Sequence, residues 1–170
     1  RAAQSIINTS RISANPDTSG KADRVITEFR RGIALGTFGT TEVREQANNT
    51  GNRILGDPRI STADKQKYLS FIIEEMEKQR RLAPHDVRAM AFIASAYSSA
   101  GRYQDALSTI NEMLNISPRR QQFYFLAAEA YLSLRQNDKA IEAARLAYNL
   151  DPRYLEAVHN LIAVLIISGR

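Results

Sequence analysis

Three prolines, Pro84, Pro118 and Pro152, recur at intervals of 34 residues, and the stretches between them are two versions of one pattern. No other property of the chain constrains its fold as much. A fixed period of that size marks a helical repeat array, in which each unit buries its apolar face against its neighbours. The first copy runs from Pro84 to Ser117 and the second from Pro118 to Asp151, while a third starts at Pro152 and reaches Arg170, about half a period on. The chain begins with Arg1 and ends inside a repeat, so it is expected to be a processed or excised piece of a longer protein.

The copies align residue by residue. Ala94 matches Ala128 and Ala106 matches Ala140; Tyr97 and Tyr131 share a position with Leu165, and Met113 pairs with Ala147. Small residues in register predict close helix crossings, because bulky side chains hold helix axes apart. Each copy reads as two amphipathic helices joined by a short turn. In the first copy Gly101 ends the first helix in a left-handed conformation; the second copy has Arg135 there, with Asn137, a residue tolerant of that conformation, two places on. The third copy restores Gly169. The prolines close the units, since Pro cannot continue a helix interior but fits a turn or a first helical position.

The run Ala94…Tyr97, then Gly101-Arg102-Tyr103, Ala106 and Ile116-Ser117-Pro118, resembles the tetratricopeptide repeat (TPR) family. So does the series Ala128…Tyr131, Ala140 and Leu150-Asp151-Pro152. The resemblance covers residues 84–170. It implies an all-α, right-handed α-solenoid of antiparallel helix pairs with about nine helices in the whole chain. The domains expected are a helical capping region of degenerate repeats at 1–83, TPR copies at 84–117 and 118–151, and the first helix of a truncated copy at 152–170.

The same resemblance implies a concave groove lined by the first helix of each pair, which typically receives a peptide or a partner helix. Its residues would be Arg88, Ala91, Ser95, Ser98 and Ser99 in copy one. Copy two would supply Gln122, Phe125, Glu129, Leu132 and Ser133, and copy three Glu156, His159, Ala163, Ile166 and Ile167. Phe125 is the expected anchor, since aromatic side chains in desolvated pockets often dominate binding energy. The peptide-carboxylate-binding members of the family use Lys and Asn on this face. Ala91 and Ser95 stand there instead, so the resemblance does not extend to a chaperone-tail clamp.

In residues 1–83 the register fades, but helical patterning continues. A short helix is expected over Ala2–Arg11, then one capped by Thr18 or Ser19 with Val25, Ile26, Phe29, Ile33 and Leu35 on its apolar face. Gly36 and Gly39 bracket a turn, and Thr40 or Thr41 is expected to cap a third helix. After the break at Gly56-Asp57-Pro58, Ser61-Thr62-Ala63-Asp64 reads like a capping box. It would open a helix through Leu82 striped with Tyr68, Leu69, Ile72, Ile73 and Met76. Ala22–Gln46, with its Gly-Thr-Phe-Gly turn, is also similar to the soluble tail of bacterial O-antigen ligase and polymerase-type membrane proteins. That resemblance implies an extracytoplasmic accessory tail; without it a cytoplasmic location is expected.

Composition argues against chemistry in this chain. The net charge of +5 is thinly spread, +4 over residues 1–83 and +1 over 84–170, with basic doublets only at Arg30-Arg31, Arg80-Arg81 and Arg119-Arg120. A nucleic-acid footprint would be denser and interleaved with aromatics, so no nucleic acid is expected, a weak RNA-binding array being the remaining alternative. There is no cysteine, and the two histidines, His85 and His159, have no metal-like spacing, so no metal, no cofactor and no catalytic residue is expected. Glu74, Glu75 and Glu77 lie among Lys78, Arg80 and Arg81 and read as a solvated helix face. The third copy carries Leu161, Ile162, Leu165 and Ile166 on a helix apolar almost all round. Residues 154–168 are therefore expected to pack on another copy of the chain or on downstream repeats.

Overall fold

In a computed structural model, the residues described are 2–15, 20–36 and 39–170. Among them there are nine helices and no strand: α1 (Ala2–Ala14), α2 (Lys21–Ala34), α3 (Thr40–Gly56), α4 (Thr62–Leu82), α5 (Val87–Ser99), α6 (Tyr103–Ile116), α7 (Gln121–Ser133), α8 (Asn137–Leu150) and α9 (Leu155–Ile167). The fold class is the all-α solenoid of helix pairs that the period implies. The chain divides into two compact units, Arg1–Phe92 and Ile93–Arg170, with the division inside α5.

The period is written into the backbone twice per repeat. At each proline the chain makes the same turn: the amide N–H of Asp86 donates to the carbonyl of Ala83, that of Arg120 to Ser117, and that of Tyr154 to Asp151, at 3.1, 3.3 and 3.1 Å. Proline occupies the second position of each turn and pushes the residue before it out of helical geometry, which stops the preceding helix. The first helix of each pair also ends in one way. The N–H of Arg102 reaches back to the carbonyl of Tyr97, Gln136 to Tyr131 and Arg170 to Leu165, at 2.8, 2.9 and 2.9 Å. Such six-residue closures need a left-handed residue just before the donor. Gly101 and Gly169 supply it at φ 72° and 74°. In the second copy Arg135 itself is left-handed, at φ 58°, and Asn137 is already the first residue of α8. The closure geometry overrides the preference for Asn.

In the second unit α6 packs on α7, α7 on α8 and α9, and α8 on α9. The crossings are lined by Ala94, Ala106, Ala128, Ala140, Ala144 and Ala147, none more than 2% exposed. Met113 and Ile110 fill the wider spaces. Gln121 Nε2 adds a 2.8 Å hydrogen bond to the carbonyl of Ala147, tying α7 to α8.

The first unit is built differently. α1 packs on α2 and α3, and α2 and α3 pack on each other and on α4. Gly32 allows the approach of α2, because a Cβ there would stand 3.1 Å from both Ser5 Cβ and Val43 Cγ1. The core holds Val25, Phe29, Val43, Ile54, Tyr68, Ile72 and Met76, with polar groups among them. Lys21 is buried, and its Nζ donates to the carbonyl of Asn15 at 2.6 Å, just beyond the end of α1. Tyr68 donates its hydroxyl to the carbonyl of Ala47 at 2.7 Å, and burial pushes the phenol's pKa far upward.

Several expectations for this unit are corrected. Glu75 does not belong to a solvated face. It is 5% exposed, accepts from Arg44 Nε at 3.2 Å and from Lys78 Nζ at 2.7 Å, while Arg44 Nη1 donates to Gln79 Oε1 at 3.0 Å. Such a link joins residues 31 and 35 positions apart and has no local signature. Leu35 follows α2 as its C-cap and is exposed, Ile33 and Ile73 are half-buried, and Phe71 joins the core. The N-caps of α2 and α3 are Gly20 and Gly39, and Thr40 is the first helical residue. Thr18 and Ser19 lie outside the described residues, as do Thr37 and Phe38 of the Gly-Thr-Phe-Gly turn. Ser61 caps α4 as expected, its Oγ accepting from the amide of Asp64 at 3.1 Å.

Candidate peptide-binding groove

Two stripes of side chains in the second unit face a common depression. On α7, Gln122, Phe125, Glu129 and Leu132 are spaced by three and four residues and share one face, while Phe123, Ala127, Ala128 and Ala130 are buried. On α9 the matching stripe is Glu156, Asn160, Ala163 and Ile167, and Ala157 and Val164 are buried. Between them lies an open, mostly apolar cavity of about 270 Å³ lined by Phe125, Leu126, Glu129, Leu132, Ala163 and Ile167, with Ala128, Asn160 and Val164 completing its wall. Phe125 and Leu132 are half-buried and Ile167 is 67% exposed. At the N-terminal end of α9 the Tyr154 hydroxyl donates to Glu156, which raises the phenol's pKa, while a side-chain hydrogen bond with Gln122 opposes the shift. These contacts join α7 to the start of α9.

The remaining expected residues are distributed as follows. Arg88 and Ala91 belong to the first unit; Arg88 Nη2 pairs with Glu45 Oε2 at 2.8 Å and lies 5.9 Å from the Phe92 ring centroid. Ser95 is exposed and Ser98 half-buried. His159 is exposed on α9, outside the cavity wall, and His85 is in the turn after Ala83. Leu161 and Leu165 are half-buried, whereas Ile162 and Ile166 are 49% and 70% exposed. Leu155, 69% exposed, extends that stripe one helical repeat back. Leu126, Ala128, Asn160 and Val164 stand in the wall outside the expected set. The signal for Asn160 was available, since it lies four residues from Glu156 and three from Ala163. Among the described residues there is no group of three or more side chains able to hold a metal ion, and no helix is long and apolar enough to cross a membrane.

Helix pairs at a fixed period, small residues at the crossings and a depression between successive first helices define a helical-repeat scaffold. Residues 97–165 match the tetratricopeptide repeat family, whose members are generally non-catalytic scaffolds. The TPR repeat-containing protein YpiA of Bacillus subtilis is 25% identical over 103 residues, 61% of this chain and 24% of that protein. The chain thus spans about a quarter of the length of that curated relative. The thermophilic TPR protein TTC0263 of Thermus thermophilus superimposes with a TM-score of 0.66 at 14% identity, over 98% of this chain and all of that one. The first TPR of Spaghetti (RPAP3), bound to the HSP90 peptide SRMEEVD, gives 0.56 at 18% identity, over 75% of this chain and 94% of that one.

Proposed function

We propose that the chain is a non-catalytic scaffold that holds a peptide or protein segment in the groove between α7 and α9. The observation that carries this reading is the 270 Å³ apolar cavity walled by Phe125, Leu132, Ala163 and Ile167 on the first helices of successive repeats. Apolar concavities with a few polar groups at the rim are the usual geometry of binding sites. Residues 1–83 serve in this reading as the cap of the array. The test is capture by the whole chain compared with its Phe125→Ala and Leu132→Glu variants, with the segment held by the wild type then mapped and resynthesised. Loss of the mapped segment by both variants is expected; capture unaltered by either overturns the groove.

The exposed stripe Leu155, Ile162 and Ile166 supports self-association through α9 as well. Glu156 is the one Asp, Glu, Lys or Arg between Leu155 and Ile167, so two copies can meet there without burying several charges. Sedimentation should show a concentration-dependent dimer that Ile162→Glu abolishes, and a strict monomer at high concentration removes this reading. A different parentage, the extracytoplasmic tail of an O-antigen ligase-type membrane protein, rests on Ala22–Gln46. Membrane spans encoded upstream of Arg1 would support it, and their absence would end it.

A further inference from the structure

The occupant of the groove is constrained by charge as well as by shape. On the two stripes the carboxylates are Glu129, in the cavity wall, and Glu156, outside the wall one helical turn before Asn160 and accepting from the Tyr154 hydroxyl. No basic side chain lines the cavity. Arg119 is exposed in the turn ahead of α7, and the other basic residues of this unit are engaged or line other depressions. Arg102 pairs with Asp105 at 2.7 Å and Arg170 with Asp138 at 2.7 Å. Arg120 and Lys139 lie over the rings of Phe123 and Tyr131, at 5.5 and 5.8 Å from the ring centroids. Arg153 is beside Asp151, and Arg135 and Arg145 line other depressions.

A ligand carboxylate at the cavity would meet Glu129 with no cation in the wall to offset it, and like charges so placed repel. A ligand cation would find Glu129 at the apolar seat and Glu156 further along the same helix face of α9. Resting on the groove reading, we propose that the occupant is a cationic amphipathic segment. One bulky aliphatic or aromatic side chain fills the cavity beside Phe125 and Ile167, and Lys or Arg about one helical turn to either side meets Glu129 and Glu156. The sign is opposite to that of the acidic peptide SRMEEVD held by the RPAP3 repeat.

The experiment uses the whole chain and three labelled peptides read by fluorescence anisotropy. The first is an amphipathic helix with a leucine face and a lysine face, the second has every lysine replaced by glutamate, and the third keeps the lysines but has serine for leucine. The first should bind, and the other two should bind at least about tenfold more weakly. The double change Glu129→Gln, Glu156→Gln should lower affinity for the first peptide by about tenfold and flatten its salt dependence. Phe125→Ala, or the exposed Ile167→Ser if the first variant is poorly folded, should weaken it independently of salt. If both cavity variants leave binding unchanged, the groove reading itself fails. If they weaken it while the glutamine pair has no effect, or the glutamate peptide binds equally well, the groove stands and the proposed sign is wrong. Retained binding of the serine peptide would reduce the interaction to unspecific charge attraction and also overturns the proposal.

Discussion

The two units solve the same packing problem with different materials. In residues 93–170 helices meet through alanines, and among the described residues the buried polar side chain is Thr109, whose hydroxyl is satisfied by the carbonyl of Asp105 in its own helix at 3.0 Å. In residues 1–92 large side chains fill the core, and Ser5, Thr9, Lys21, Arg44, Glu75 and Gln79 are buried among them. Close crossings need little beyond small residues at a fixed period. Wider crossings leave polar stems and heads inside, which must then find partners across the fold. The repeat unit is therefore sensitive to added volume and the first unit to lost partners.

The largest test of that contrast is Arg44→Met. It strands Glu75 in a site where Lys78 remains as its one cation, and chemical denaturation should show a loss of about 3 kcal/mol in the first unit. A negligible loss would mean that the buried pair does not hold that unit together. Next comes Ala128→Leu, which forces a larger side chain into a position 2% exposed and should cost roughly 1–3 kcal/mol by overpacking. Tolerance of leucine there would show that the α7 crossing is not close-packed. A smaller effect of opposite sign is expected at Arg135, which adopts φ 58° where the other copies have Gly101 and Gly169. Arg135→Gly should raise thermal stability by about 0.5–1 kcal/mol, because glycine enters the left-handed region without a Cβ clash.

The smallest effect is a pH dependence assigned to the first unit. The side chain of Arg59, and then its backbone N–H, hydrogen-bonds to Asp57 and holds that carboxyl down at about 2. A carboxylate depressed by folding contributes stability above its unfolded pKa, about 3.9, and that contribution disappears as pH falls through the folded value. Thermal melts should therefore show a component lost between about pH 4 and pH 2 that Asp57→Asn removes. An unchanged acid profile in the variant would assign the loss to other carboxylates.

How much could be read beforehand follows the same division. Pro84, Pro118 and Pro152, the alanines in register and the capping box at Ser61 are local signals, and each fixed a turn, a crossing or a helix start. Lys78 and Arg80 give Glu75 the local pattern of an exposed ion-pair face, whereas Arg44, 31 residues away, turns it inward. Asn137 has the greater intrinsic tolerance of a left-handed backbone, but the helix closure at Tyr131 sets that conformation at Arg135. On the groove, the stripe Phe125, Glu129, Leu132 is what the TPR resemblance implies, but Leu126 and Val164 join the wall through the packing of α7 against α9.

The sequence by itself determined the period, the helix pairs and the turns between them, because proline, glycine and alanine act through backbone geometry and volume within a few residues. Tertiary structure alone decided which polar side chains are buried with partners and that Leu126 and Val164 join the cavity wall. Those outcomes depend on contacts between residues far apart in the chain, where burial strengthens both the cost of an unpaired group and the gain from pairing it.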